Sequence, residues 1–314
     1  MTDPISQLRF DSEWTKRSPV ADPTRVDLHS HSTRSDGILE PEDLWAAMIG
    51  CGLEVAAVSD HDTMSGYRAL RDAALASGST YGPTLIPAVE INSIADRELI
   101  EMGVELEEGE LHILGYGVDA ESAAFQRALE TQRDARRIRL MMIIDALRTL
   151  GKPIDEQIAP VLESDEALGR PHIARAMVAA GYVETVQQAF GEWIDRNGPA
   201  YIAQQGMKSR AAIDVIRAAG GLPVLAHYPA APVQSELIDL LEGWGLRGLE
   251  VYYRSFTDQT VGQMAEFAAS RGLLATGGTD YHGDGITYAE ARSKLSVPRE
   301  VGDRLLEALA APIR

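Results

Sequence analysis

The sequence predicts an α/β fold: a barrel of about seven strand–helix units, interrupted by an all-helical insertion. Three observations carry this prediction. Short apolar segments alternate with amphipathic ones over most of the 314 residues, and such alternation builds a mainly parallel sheet. The rhythm stops between Glu121 and Asn197, where the pattern is helical with no convincing strand. Six of the seven histidines fall beside strand ends, which core packing alone does not explain. The expected division assigns residues 1–118 and 198–314 to the barrel, with a polar leader at its start, and 119–197 to the insertion.

In order along the chain, Val26-Asp27-Leu28-His29-Ser30-His31 reads as a strand running into a loop, preceded by a leader that only Leu8, Phe10 and Trp14 could anchor. Leu39 to Leu53 is helical, with Pro41 suited to a first turn, acids Glu42 and Asp43 favoured by the dipole, and Gly50 and Gly52 ending it. Glu54 to Val58 is a continuous apolar strand, Met64 to Ala76 a helix and Leu85 to Ile91 a third strand. Glu98–Glu105 and Glu110–Tyr116 read as a hairpin turning at Glu107-Glu108-Gly109. A long helix, Ala123–Leu150, opens the insertion and stops at Gly151 and Pro153; shorter helices cover Glu156–Leu162, Pro171–Ala180 and Thr185–Asp195. After Gly198-Pro199 come helix Arg210–Ala219, strand Leu222–His227, helix Gln234–Trp244, strand Gly248–Tyr252, helix Asp258–Arg271, strand Leu273–Thr276 and helix Val301–Ala311.

Composition narrows the function classes. No apolar run approaches the roughly 18 residues of a membrane span, and the N-terminus lacks the apolar stretch of a secretory signal. With Cys51 the only cysteine, no internal disulfide can form. These features together predict a cytoplasmic protein. A formal net charge of −18 repels polyanions, so a surface gripping duplex nucleic acid is not expected. A small anionic substrate fits if the pocket is locally positive.

His29 and His31 are two apart, which on a strand puts both imidazoles on one face. Asp36 follows in the loop above Gly37. His61 ends the second strand, His112 lies on the hairpin, His227 ends the strand beginning at Leu222, and His282 follows Thr279-Asp280-Tyr281. Asp36, Glu90 and Asp280 stand at equivalent strand ends. In a parallel barrel those ends share one face, so the groups would converge. Imidazole and carboxylate together suit Zn²⁺, Mn²⁺ and Fe²⁺.

These residues resemble a known family. Asp27-Leu28-His29-Ser30-His31 with Ser35-Asp36-Gly37, Ser59-Asp60-His61-Asp62, the Glu90 strand, Ala226-His227 and Thr279-Asp280-Tyr281-His282 look like the motifs of the polymerase and histidinol phosphatase (PHP) superfamily, in that family's order. The insertion makes the chain most similar to the bacterial branch that removes phosphate from nucleotides, including 3′,5′-bisphosphonucleotides. The resemblance implies a distorted seven-stranded β/α barrel, and nine ligands: His29, His31, Asp36, His61, Glu90, His112, His227, Asp280 and His282. It implies two or three divalent ions (Mn²⁺, Zn²⁺ or Fe²⁺), with Glu90 bridging two. Three carboxylates do not neutralise three dications, so the site stays positive and attracts phosphate. The expected reaction is phosphate monoester hydrolysis by a metal-activated hydroxide. Two features depart from the family pattern: Tyr228 separates His227 from Pro229, and no histidine stands near Tyr252–Phe256.

Asp60 and Asp62 are candidates for the leaving-group acid; alternatively Asp60 orients a ligand and Asp62 caps the helix after Thr63. Gly169-Arg170-Pro171-His172 opens a helix, and Arg170 and His172 there are candidate substrate-binding residues, with a surface arginine and a capping histidine as the alternative. Arg133, Arg136 and Arg137 share a helix face, read either as a phosphate contact through Arg133 and Arg137 or as a solvated surface. The expected partner is a small phosphorylated nucleotide, with no membrane. Rival readings are 5′-3′ exoribonuclease action on short RNA, histidinol-phosphate phosphatase, and a non-catalytic PHP module serving a partner protein.

Overall fold

The computed structural model describes residues 25–77, 82–104, 106, 109–283 and 285–311. The proposed leader anchors Leu8, Phe10 and Trp14, and the turn acids Glu107 and Glu108, lie outside these residues. Strand β1 (Val26–Asp27) leads through α1 (Pro41–Gly50) to β2 (Val55–Val58), α2 (Ser65–Ser77), β3 (Thr84–Ile94), α3 (Arg97–Glu101) and β4 (Glu110–Tyr116). Four helices follow: α4 (Ala123–Thr149), α5 (Asp155–Leu162), α6 (Arg170–Ala179) and α7 (Val186–Ala189), which runs into a π-helical turn, Phe190–Ile194. Alternation resumes with α8 (Ser209–Ala218), β5 (Leu222–Leu225), α9 (Ser235–Trp244), β6 (Gly248–Tyr253), α10 (Asp258–Arg271), β7 (Leu274–Gly278), α11 (Tyr288–Ser293) and α12 (Arg299–Ala310).

The seven strands form one sheet in chain order. It closes on itself: the Leu28 amide donates to Gly277 O at 3.0 Å, Asp280 N to His29 O at 2.7 Å and His31 N to Tyr281 O at 3.0 Å. The seam is tight enough to demand glycine, since a Cβ on Gly278 would stand 2.3 Å from the His29 nitrogen. Strand β4 runs antiparallel to both β3 and β5, and the remaining pairs are parallel. That reversal is the distortion of the barrel.

The expected hairpin is a correction. Residues from Arg97 form a helical turn, supported by the Arg97–Glu101 pair at 2.6 Å one turn apart. Strand β4 instead pairs with β3 along its whole length, Ala88↔Tyr116 to Ile94↔Glu110. An eleven-residue strand offers more ladder than a short local arm. The expected Thr185–Asp195 helix is likewise two pieces, α7 and the π turn.

Both faces of the sheet are covered. Along β2, Val55 and Ala57 face a barrel-interior cluster closed below by Val301 and Leu305 of α12, while Ala56 and Val58 face the surrounding helices. This two-sided burial explains the continuous apolar strands. The helices between β4 and β5 enclose a cluster of their own, including Leu140, Ile143, Ile173 and Met177. Helix α4 serves two clusters: its first half places Phe125 and Leu129 against the barrel, its second half joins that helical core. No described helix is long and apolar enough to cross a membrane.

Candidate metal centre

His29 and His31 follow strand β1, with their Nε2 atoms 3.1 Å apart. Glu90 from β3 and Asp280 after β7 complete this group. Glu90 Oε2 stands 3.1 Å from His29 Nε2 and 3.2 Å from His31 Nε2; Asp280 Oδ1 stands 3.3 and 3.1 Å from the same atoms. Spacings of this size are the edges of a tetrahedron whose corners lie about 2.0 Å from its centre, the bond length of histidine and carboxylate ligands to Zn²⁺. A second group joins His31, Asp36, His61 and His282, with His282 Nε2 3.2 Å from Asp36 Oδ1. A third joins His61, Glu90 and His112. His227 reaches Glu90 Oε1 at 3.2 Å.

Glu90 is the hub. Its Oε2 faces His29, His31 and His61, while Oε1 faces His112 at 2.8 Å and His227. Strand register explains the pairing: Asn92 opposes His112 across the β3–β4 ladder, so Glu90 and His112 point to one face. Asp36 is carried in by its loop, which Asp60 fastens by accepting from Ser32 N (2.7 Å), Ser32 Oγ (2.8 Å) and Ser35 Oγ (2.9 Å). Among the described residues the only non-glycines with positive φ are Asp62, His227 and Asp280, at 52°, 28° and 46°. All three end strands at this cluster, where backbone strain of this kind concentrates.

The donor set fits cations. Glu90 Oε2, Asp36 Oδ1 and His61 Nδ1 are buried without a hydrogen-bond partner, a costly arrangement unless something positive or electrophilic satisfies them. Although burial opposes ionisation, the surrounding imidazoles hold the carboxyls of Asp36, Glu90 and Asp280 well below their ordinary range. Burial pushes the His61 imidazole well down, so the ring stays neutral with one nitrogen's lone pair available. His31 and His112 go the other way. Against burial, Asp280 and Glu90 raise His31 to about 9, and Glu90 and Glu110 raise His112 to about 10.

One ligand-orienting group escapes the sequence reading. Glu250, fully buried on β6, lies with Oε1 2.9 Å from His29 Nδ1, and its Oε2 accepts from the His227 amide at 2.8 Å. A single acid inside the apolar run Gly248–Tyr253 is the only signal it gives. Tyr253 adds a second such contact, donating from its hydroxyl to Asp280 Oδ2 at 2.9 Å.

A cavity of about 610 Å³ opens beside the cluster, with His61, Glu90, His112, His227, Asp280 and His282 in its lining. Arg136, Arg139 and Arg170 also line it. The remaining candidates take varied places. Arg133 donates to the Asp62 carbonyl at 3.0 Å and Arg137 to the carbonyls of Leu162 and Ser164, so neither lines the cavity. Rotation of α4 turns Arg136 and Arg139 inward instead. His172 accepts from the Gly169 amide at 3.1 Å and caps its own helix. Asp60 serves its loop, and Asp62 pairs with Arg136 rather than capping α2, so neither faces the cavity as an acid. Arg170 does line it.

A distorted seven-stranded barrel with clustered imidazoles and carboxylates beside a cavity defines a metal-dependent phosphoesterase. No family model matches the chain. A 5′-3′ exoribonuclease of Salmonella typhimurium is 30% identical over 88% of this chain and 90% of its own length. A 3′,5′-nucleoside bisphosphate phosphatase of Chromobacterium violaceum is 27% identical, covering 83% and 88%. The crystal structure of a metal-dependent phosphoesterase from Bifidobacterium adolescentis superposes with a TM-score of 0.75 at 26% identity, covering 92% and 97%. The chain belongs to the PHP superfamily of metal-dependent phosphoesterases.

Proposed function

We propose that this protein releases inorganic phosphate from a small nucleotide, a 3′,5′-bisphosphonucleotide or a mononucleotide, using two or three divalent cations (Mn²⁺, Zn²⁺ or Fe²⁺). The ligands in this reading are His29, His31, Asp36, His61, Glu90, His112, His227, Asp280 and His282. One observation carries it: the two oxygens of Glu90 face separate sets of imidazoles, the arrangement of a carboxylate between two cations. Bound cations of this kind lower the pKa of water from 15.7 toward about 7 and stabilise charge on phosphoryl oxygens.

The chain's own residues prepare that chemistry. Glu250 holds His29 and the His227 backbone, and Tyr253 holds Asp280, so ligand positions are set before substrate arrives. Arg136, Arg139 and Arg170 line the cavity but are each paired with a carboxylate, Asp62, Glu110 and Asp195, so bound cations would supply the local positive surplus in a protein of net charge −18. That local surplus favours a phosphate dianion.

The 30% identical relative supports a second reading, 5′-3′ exoribonuclease action on short RNA. Phosphate release with Mn²⁺ from adenosine 3′,5′-bisphosphate, adenosine 5′-monophosphate and histidinol phosphate, run beside a labelled oligoribonucleotide, tests both. Release from the nucleotides with the oligonucleotide intact is the expected result. Stepwise shortening of the oligonucleotide with no release from the small nucleotides would favour the nuclease, and turnover of histidinol phosphate alone would reject both.

A further inference from the structure

The cavity beside the ligand cluster has a mixed lining. It includes four apolar side chains, Leu140, Ile143, Leu168 and Phe190, together with the ligand residues and the arginines. Phe190 opens the π-helical turn, a geometry that recurs at functional sites. The Arg170 guanidinium lies over the Phe190 ring, 5.5 Å from its centroid. Contacts from Arg170 Nη1 to the Ile194 carbonyl at 3.5 Å and the Asp195 carboxylate at 3.4 Å, both at the end of the same turn, hold it there.

A ring capped by a guanidinium is a flat, rigid and polarisable surface, and nucleobases stack on both groups. We propose that Phe190 and Arg170 form a stacking platform for the base of the substrate, so the ligand class is a nucleotide with its base attached rather than a sugar or amino-alcohol phosphate. This rests on the nucleotide phosphoesterase reading and sharpens it. Glu110 links the platform to the cluster, standing 3.9 Å from His112 and feeling the charge of Arg170. A phosphate without a base would leave the apolar side chains in water, whereas a base covers them.

The test compares adenosine 5′-monophosphate with ribose 5-phosphate, which lacks only the base, on Mn²⁺-loaded wild type, Phe190→Leu and Phe190→Trp. Leucine keeps apolar volume without a flat face; tryptophan restores the face. The wild type is expected to prefer the nucleotide in kcat/KM. Phe190→Leu should cut that preference about tenfold through KM, the size of one aromatic–base stack, and Phe190→Trp should recover it. A wild type without preference, or a preference untouched in Phe190→Leu, overturns the proposal. Calorimetric binding of adenosine separates the platform from the reaction. If neither of these phosphates nor adenosine 3′,5′-bisphosphate is hydrolysed, Phe190-dependent adenosine binding still supports the platform while the phosphatase reading falls; no adenosine binding overturns the platform.

Discussion

Glu250 and His29 stand back to back with the metal cluster: the glutamate's Oε1 lies 2.9 Å from His29 Nδ1, while His29 Nε2 faces Glu90 and Asp280. A carboxylate behind a ligand imidazole fixes its tautomer and raises its basicity. Glu250 does more, because its Oε2 also accepts from the amide of His227, whose φ is 28°. Replacing it by glutamine should weaken Mn²⁺ binding by about 10–100-fold. Calorimetric titration of the variant, with circular dichroism to establish folding, measures this; unchanged affinity would deny Glu250 its role.

Metal binding should release protons. His31 at about 9 and His112 at about 10 are both above their ordinary value of 6.5, so at pH 7 both carry a proton before a cation binds. Ligation requires the neutral rings. Apparent affinity should therefore rise with pH from 7 toward 9, then less steeply until 10. Calorimetry at pH 7 in buffers of different ionisation enthalpy should count about three protons released, from His31, His112 and His29, which against burial Glu250, Glu90 and Asp280 hold well above its ordinary value. Zero protons would contradict the site geometry.

Arg136 and Asp62 form a buried pair in which Arg136 Nη2 and Asp62 Oδ1 have no further partner. Arg136→Met leaves the carboxylate buried alone and should cost about 3–5 kcal/mol in urea denaturation. Joining it to Asp62→Leu should recover most of that loss. A double variant as unstable as the sum of the singles would show that the pair is not coupled.

Two glycines should respond in opposite directions. Gly278→Ala puts a Cβ against the His29 backbone at the barrel seam and should both destabilise the fold and weaken metal binding. Gly262→Ala, in α10 with open space around it, should stabilise by about 0.5–1 kcal/mol. Thermal unfolding of the two variants beside wild type checks both signs.

The readable parts of this protein were those with local signatures. Strand alternation, the helical interval and the two-residue spacing of His29 and His31 are properties of short windows, and seven strands closing in chain order follow from them. The local pattern suggests a hairpin, but β4 pairs with β3, and Arg97–Glu101 holds its own one-turn ion pair in α3. Which arginines of α4 face the cavity depends on how the helix rolls against two separate cores, and periodicity does not encode that roll. Glu250 hid for a similar reason. Its partners, His29 and the His227 amide, lie 221 and 23 residues away, and nothing near Glu250 in the chain points to them.

The central claim is that Glu90 joins two cation sites built from these imidazoles and carboxylates. Anomalous scattering from Mn²⁺-soaked crystals tests it most directly. Two or more peaks are expected within about 2.0–2.2 Å of these ligand atoms, the ordinary range for nitrogen and oxygen donors, with a different peak at each Glu90 oxygen. A single peak, or manganese bound away from Glu90, would contradict it.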